Sequence, residues 1–252
     1  MLHRLLKRGR NPPLAPPRIP DGERIYAIGD VHGRDDLFAE LVARIDADDA
    51  ARPAARTQII QLGDLIDRGP ASAAVIDRAI LLSRDRGARF LAGNHEELLL
   101  LALDGDREGL RMFSRVGGHE TMMSYGLADD AYQRADFDEL LDLMRRHIPA
   151  DHVDFLRGME DVIEVGDYAF VHAGIRPGVP LARQRTAHLR WIRGAFLDSE
   201  VVHPRFIIHG HTITDTVDER PNRIGIDTGA YATGRLTAIG LEGADRWFIQ
   251  TE

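Results

Sequence analysis

Five short polar motifs in this chain carry side chains that could together bind metal ions and phosphate. The first four each directly follow an apolar run of the kind that forms a β-strand. Their carboxylate, amide and imidazole groups are ligands for divalent metal ions, and their arginine can bind phosphate. In chain order, motifs 1 to 5 are Gly29-Asp30-Val31-His32-Gly33, Gly63-Asp64-Leu65-Ile66-Asp67-Arg68-Gly69, Gly93-Asn94-His95-Glu96, Val171-His172-Ala173-Gly174 and Gly210-His211-Thr212.

The metal-ligating groups of these motifs fall into two overlapping sets. Because a carboxylate has two oxygens, Asp64 could bridge two ions about 3.5–4 Å apart. Mixed oxygen and nitrogen ligands suit manganese, iron or zinc better than calcium. The predicted ligands are Asp30, His32 and Asp64 for one ion, and Asp64, Asn94, His172 and His211 for the other.

The remaining polar residues predict hydrolysis of a phosphate ester. A water that bridges two ions would lose a proton near neutral pH and attack phosphorus in line. Arg68 and Arg193 are candidate phosphate ligands, because a guanidinium binds phosphate oxygens with two parallel N–H groups. Asn94 and His95 are expected to contact the same phosphate. Protonated His95, oriented by Asp67, would donate a proton to the leaving oxygen.

Three further polar positions are assigned no part in this chemistry. His209 is expected to lie in the core or to support the site, and His119 is expected to be solvated or structural, because its two glycine neighbours indicate a loop. The segment Asp227-Thr228-Gly229 is interpreted as a turn that closes a strand.

The hydrophobic pattern predicts the elements that must position these motifs. Strands at 25–28, 58–62 and 89–91 alternate with helices at 37–45, 73–82 and 96–103. This βαβαβ order predicts parallel strands, with motifs 1 to 3 at their carboxyl ends. A helical excursion follows at about 105–157, and Asp136 and Glu139 resemble a capping box in it. The later strands are predicted at 161–165, 168–171, 206–208, 223–226, 236–241 and 247–249.

The bulk composition limits the fold and the partners. The 252 residues are expected to form one α/β domain over 23–252, after a flexible basic and proline-rich arm at 1–22. The net charge of −8 argues against nucleic acid as the main partner. The chain has no cysteine, no long apolar stretch and no signal-peptide core near its N-terminus, so we expect a cytoplasmic protein without membrane insertion.

Taken together, the motifs resemble those of the calcineurin-like metallophosphoesterases, and within them the bacterial and phage branch of the phosphoprotein phosphatase (PPP) family. The resemblance runs from about residue 25 to residue 241. Motifs 1 to 3 match Gly-Asp-x-His-Gly, Gly-Asp-x-x-Asp-Arg-Gly and Gly-Asn-His-Glu, and Trp191 and Arg193 match Trp-x-Arg. The resemblance implies a sandwich of two mixed β-sheets flanked by α-helices, in four layers. It also implies manganese as the usual metal and Arg193 as a phosphate ligand.

Two substrate classes are compatible with the motifs. Asp67 and Glu96 favour a serine/threonine protein phosphatase, possible dual specificity included, because the related symmetric diadenosine tetraphosphatases typically lack that aspartate and have Gly-Asn-His-Asp. Against this, Ala92 stands where many protein phosphatases have arginine, and the sequence His172-Ala173-Gly174 is of the kind seen in the tetraphosphatases. The main prediction is hydrolysis of phosphorylated proteins or peptides. The alternative is hydrolysis of diadenosine tetraphosphate to ADP.

Overall fold

The computed structural model describes residues 16–252. Most of the predicted arm therefore lies outside the described residues. Within residues 16–22, Ile19 is buried, and its N–H donates to the Gly243 carbonyl at 2.8 Å. Burial of this apolar side chain holds the chain against the domain at that point, and the flexibility of the arm stays a prediction. None of the helices in the described part has the length and apolar content that crossing a bilayer requires.

The first β-sheet carries motifs 1 to 3. Its strand order is β10-β9-β1-β2-β3. β1, β2 and β3 are parallel, as the βαβαβ pattern predicts, and β9 joins β1 and β10 by antiparallel pairing. The strands are β1 (Glu23–Ile28), β2 (Arg56–Gln61), β3 (Arg89–Phe90), β9 (Thr237–Glu242) and β10 (Asp245–Gln250).

The second β-sheet carries motifs 4 and 5. Its order is β4-β5-β6-β8-β7, with parallel β5, β6 and β8 between two antiparallel edge strands. The edge strand β7 was not predicted, since its Asp-Glu-Arg sequence has no apolar residue. The strands are β4 (Ile163–Val165), β5 (Tyr168–Phe170), β6 (Phe206–His209), β7 (Asp218–Arg220) and β8 (Arg223–Gly225).

The two sheets stack as the middle layers of a four-layer sandwich, which confirms the predicted fold class. Alternation along β1 shows why: Ile25 and Ala27 pack into the core between the sheets, whereas Tyr26 and Ile28 pack on the helical side. On the outer face of the second sheet, Val171 packs with the short helices α9 (Thr186–Trp191) and α10 (Gly194–Leu197). The fold therefore brings the carboxyl ends of both sets of parallel strands to one edge.

Helices cover the two outer faces. The predicted capping box forms in α7: Glu139 N–H donates to the Asp136 carboxylate at 2.9 Å, and Asp136 N–H donates to the Glu139 carboxylate at 3.0 Å. The predicted helical excursion contains α4 to α8. The helices are α1 (Asp35–Ala50), α2 (Ser72–Arg86), α3 (Asn94–Leu103), α4 (Arg107–Val116), α5 (Gly118–Ser124), α6 (Asp129–Arg134), α7 (Phe137–His147), α8 (Ala150–Arg157), α9 (Thr186–Trp191), α10 (Gly194–Leu197) and α11 (Ala230–Thr233), with a 3₁₀ turn at Leu181–Arg183.

Candidate metal centre and phosphate site

The five motifs meet at the edge of the sandwich where the parallel strands end. Their backbone is unusual there. In residues 16–252, the non-glycine residues with φ in the left-handed region all belong to motifs 1, 2 and 5. This conformation is costly for residues with a Cβ, and it persists where surrounding contacts enforce it. These residues are His32, Asp64, Asp67, Arg68 and His211, with φ between 47° and 72°.

Asp64 lies at the centre of the site. Its carboxylate Oδ2 is 3.4 Å from His172 Nε2, 3.6 Å from His32 Nε2 and 3.8 Å from His95 Nε2. Two groups of potential ligands share it: His32, Asp64 and His95, and Asp64, His172 and His211. Burial alone would raise the pKa of Asp64, but the surrounding imidazoles outweigh it and hold the pKa well below its usual range. Asp64 is therefore an anion, as a bridging ligand must be.

The imidazole tautomers fit a metal centre. His172 Nδ1 lies 2.8 Å from the Leu62 carbonyl, and His32 Nδ1 lies 2.8 Å from the Ile66 carbonyl. A carbonyl only accepts, so each Nδ1 carries a proton, and each Nε2 faces Asp64 Oδ2, at 3.4 Å in His172 and 3.6 Å in His32. Carboxylate oxygens and imidazole nitrogens are both ligands of divalent cations. This donor set fits divalent metal ions.

His211 and Asn94 complete the side of the site formed by motifs 3 to 5. His211 Nδ1 and Asn94 Oδ1 lie 3.2 Å and 3.1 Å from His172 Nε2. His211 Nε2 is buried and has no hydrogen-bond partner among the described residues. Burial lowers the pKa of His211 to about 2 and that of His32 to about 3. Both rings are thus neutral, which is the form that binds a metal.

Asp30 lies beside these groups but outside both ligand groups. Its two oxygens accept from the His211 N–H at 3.2 and 3.0 Å, which links motif 1 to motif 5. Burial and the neighbouring carboxylates of Asp227 and Asp64 raise the pKa of Asp30 well above its usual range. Divalent cations would offset this concentration of negative charge, and the role of Asp30 as a ligand stays a prediction.

Asp227 is a buried member of the site that sequence reasoning assigned to a turn. It accepts the Gly229 N–H at 2.9 Å, so the turn is present. Burial raises its pKa to about 6, and Asp64 adds to the shift. Its position could have identified it, because Asp227 follows β8 just as motifs 4 and 5 follow β5 and β6. Of the other positions, His209 is buried beside Arg223, and His119 lies in α5 and not in a loop, where it contacts Asp129 on the surface.

Glu96 supports the site through hydrogen bonds to the backbone of motifs 2 and 3. Its buried carboxylate accepts from the N–H groups of Asp64 at 2.9 Å, Leu65 at 2.8 Å and Gly93 at 2.8 Å. Three backbone donors from two motifs thus converge on one side chain, at the start of α3. The residue holds the left-handed turn at Asp64 against motif 3.

We expect Glu96→Gln to lower the free energy of unfolding by about 2–3 kcal/mol, because the amide NH₂ cannot accept the buried N–H groups that the carboxylate accepts. Urea denaturation without added metal would measure the change. Glu97→Gln is the matched control, since the Glu97 carboxylate accepts a hydrogen bond from Trp191 at 3.0 Å and lies 3.6 Å from Arg190, but accepts no backbone N–H from motif 2. Equal stability of the two variants would contradict this role of Glu96.

Arg68, the predicted phosphate ligand of motif 2, lies next to His95, the predicted acid of motif 3. His95 Nδ1 lies 2.6 Å from Asp67 Oδ2. Arg68 directs one guanidinium nitrogen to His95 Nε2 and another to His32 Nε2, both at 3.1 Å. Burial opposes a charge on His95, but Asp64 and Asp67 outweigh it and raise its pKa. The half-exposed fork of Arg68 therefore lies at the entrance to the ligand groups.

Two further residues, Arg193 and Tyr231, lie at the rim of the site. Arg193 is exposed at the start of α10, and no hydrogen bond or ion pair within residues 16–252 engages its side chain. It lies close enough to His211 for its charge to contribute to the lowered pKa of that ring. Tyr231, which sequence reasoning missed, packs its ring 4.8 Å from the Arg68 guanidinium and edge-on to His32. No short motif marks this tyrosine, so only the fold reveals it.

Comparison with known proteins identifies the family. A symmetrical bis(5′-nucleosyl)-tetraphosphatase of Nitrosospira multiformis is 32% identical, over 90% of this chain and 95% of that protein. The enzyme of the same name from an Acidovorax species is 35% identical, and the match spans only 44% of its length. The crystal structure of a candidate diadenosine tetraphosphatase superposes with a TM-score of 0.63 over 92% of this chain and 95% of that one, at 20% identity, which shows the shared fold. The model of the calcineurin-like phosphoesterase family matches residues 23–215, so the chain belongs to that family.

Proposed function

We propose that this metallophosphoesterase hydrolyses dinucleoside tetraphosphates symmetrically. The observation that carries the proposal is the relative that matches nearly the whole chain and bears that activity in its name. This reverses the order of the two predicted substrate classes, since the named relatives match the dinucleotide alternative better than the phosphoprotein one. The chain has a net charge of −8, so a polyanionic substrate would depend on positive charge within the site. Arg68, Arg193 and the metal ions would supply it.

In this proposal, the residues of the site divide the work. Asp30, His32, Asp64, Asn94, His172 and His211 would hold two divalent metal ions. Such ions, with manganese as our first choice and iron or zinc as alternatives, supply an activated water and offset charge on the phosphoryl oxygens. Arg68 would clamp the phosphoryl group at the centre, next to Asn94 and His95. Arg193 would bind a phosphate at the rim, where its guanidinium is exposed.

Arg68 links substrate binding to the acid. In the structure a guanidinium nitrogen of Arg68 lies 3.1 Å from His95 Nε2, and because arginine only donates, Nε2 can accept this bond only while it carries no proton. A phosphate that draws the guanidinium away would leave Nε2 able to carry a proton, with Nδ1–H still bound to Asp67. His95 would then protonate the departing oxygen.

A second function is favoured by one observation, the Asp67–His95 contact of 2.6 Å. An ADP leaving group departs as a stable phosphate anion and needs little protonation. A serine or threonine alkoxide leaves only when an acid protonates it. The intact pair therefore favours phosphomonoesters of alcohols, including phosphorylated proteins, as the second candidate substrate class.

One assay distinguishes these functions. The full-length chain with manganese is given diadenosine tetraphosphate and a phosphoserine peptide in parallel, and the products are separated by chromatography. We expect ADP as the sole nucleotide product, formed faster than phosphate is released from the peptide. Faster phosphate release from the peptide would replace the first function with the second. Formation of ATP and AMP would show asymmetric cleavage and contradict the proposal.

A further inference from the structure

The helical excursion contacts motif 2 at the junction between α4 and α5. Gly117, which forms this junction, has φ of 120°, and its carbonyl accepts the Arg68 N–H at 3.3 Å. A Cβ at Gly117 would lie 2.6 Å from the Arg68 nitrogen, so only glycine permits this approach. The Val116 carbonyl also accepts from Arg68 Nε at 3.4 Å. The excursion is thus built against the phosphate-binding arginine.

Thr121, in the middle of α5, reaches the other functional residue of motif 2. Its hydroxyl donates to Asp67 Oδ1 at 2.6 Å and accepts from the Asp67 N–H at 2.9 Å. Ser72 Oγ lies 3.0 Å from the same hydroxyl and accepts from the Asp67 N–H at 3.1 Å. Thr121, Ser72 and Asp67 are all fully buried. The Asp67 carboxylate is therefore held at both oxygens, by Thr121 at Oδ1 and by His95 at Oδ2.

The hydroxyl of a buried threonine in a helix usually bonds to a carbonyl one turn earlier in the same helix. Thr121 instead crosses to a residue 54 positions earlier in the chain, where it is the partner that the structure gives to Asp67 Oδ1. A carboxylate with one fixed oxygen can rotate about its Cβ–Cγ bond, whereas one fixed at both oxygens holds the His95 ring in one orientation.

We propose that Thr121 is a positioning residue that orients His95 through Asp67, so that the helical excursion contributes to catalysis by way of these two residues. The inference rests on the proposed role of His95 as the acid. It predicts that loss of the Thr121 hydroxyl affects reactions in which the leaving group must be protonated. Reactions with a good leaving group are largely spared.

The test uses Thr121→Val, which keeps the shape and removes the hydroxyl, and Thr121→Ser, which keeps the hydroxyl. With manganese, we expect the valine variant to lower kcat on β-glycerophosphate about 10- to 100-fold. We expect a decrease of no more than about 3-fold on p-nitrophenyl phosphate, whose leaving group needs no acid. The serine variant should restore the ratio of the two rates. Thr57→Val is the matched control, because Thr57 also donates to an aspartate, Asp49, at 2.6 Å but in β2, away from the site.

Two further measurements separate positioning from general stabilisation. In the His95→Asn background, Thr121→Val should cause no additional loss, because both changes remove one function. Multiplicative losses, or equal losses on both substrates, would overturn the inference. The proton resonance of His95 Nδ1–H, recorded in the full-length chain without added metal, should move in the valine variant and stay in the serine variant.

The NMR measurement also separates this inference from the proposed function. A resonance that is unchanged in Thr121→Val overturns the positioning role, whatever the enzyme hydrolyses. A wild-type chain that cleaves neither diadenosine tetraphosphate nor either monoester with manganese overturns the proposed function, and the resonance then still decides whether Thr121 orients His95.

Discussion

Replacing Asp64 with asparagine is expected to lower kcat/KM for every substrate of this enzyme about 1,000-fold or more, a loss of roughly 4 kcal/mol of transition-state stabilisation. Asp64 is the one carboxylate that both ligand groups share. An amide has the same shape but no charge and only one oxygen. It could therefore neither balance the charge of two divalent ions nor offer an oxygen to each of them. The variant should also bind less manganese than the wild type.

The decisive comparison is with an aspartate outside the site. Asp85 is an exposed residue at the end of α2, where it pairs with Arg84. Asp85→Asn removes the same charge and should leave kcat/KM unchanged. A rate for Asp64→Asn within about 10-fold of this control would show that Asp64 does not bridge metal ions in the reaction.

Replacing His95 with asparagine is the second large expected effect, and it depends on the leaving group. We expect about a 10²- to 10⁴-fold loss of kcat on β-glycerophosphate, which is the usual contribution of a positioned general acid. The loss on p-nitrophenyl phosphate should be much smaller, because nitrophenolate departs without a proton. Steady-state rates on the two substrates, measured with the same preparation, give the ratio.

The loss of diadenosine tetraphosphate hydrolysis in His95→Asn indicates which leaving group is the natural one. If ADP is the natural leaving group, His95→Asn should reduce diadenosine tetraphosphate hydrolysis far less than alkyl phosphate hydrolysis. His119→Asn is the control, since His119 is also paired with an aspartate, at 2.7 Å, but on the surface. An equal loss on all substrates would show that His95 binds phosphate or metal and does not act as the acid.

The fold and the centre of the site could be predicted from the sequence because local signals sufficed. Apolar runs followed by Gly-Asp or Gly-Asn identified the carboxyl ends of β1, β2 and β3, and parallel pairing then required motifs 1 to 3 to meet. The pairing of Asp67 with His95 was predicted for the same reason, and the structure shows it at 2.6 Å. The roles of the predicted site residues in catalysis and metal binding stay predictions.

The residues that support the site could not be predicted, because their function exists only in the tertiary structure. Glu96 accepts N–H groups from motif 2, a contact that spans about 30 residues of chain. Thr121 belongs to the helical excursion and has no sequence pattern that links it to Asp67. Asp227 was assigned to a turn, since one aspartate before Thr-Gly is a common turn sequence. Backbone strain at Asp64 and Arg68 is likewise invisible in the sequence.

Metal content measured together with rate tests the proposed two-metal site most directly. The full-length chain is treated with a chelator, dialysed and titrated with manganese, and bound metal and diadenosine tetraphosphate hydrolysis are recorded at each point. We predict no hydrolysis without metal and full activity when two manganese ions are bound per chain, with Asp64→Asn binding fewer. Full activity in the metal-free chain would contradict the assignment of Asp64 and the surrounding histidines to a catalytic metal centre.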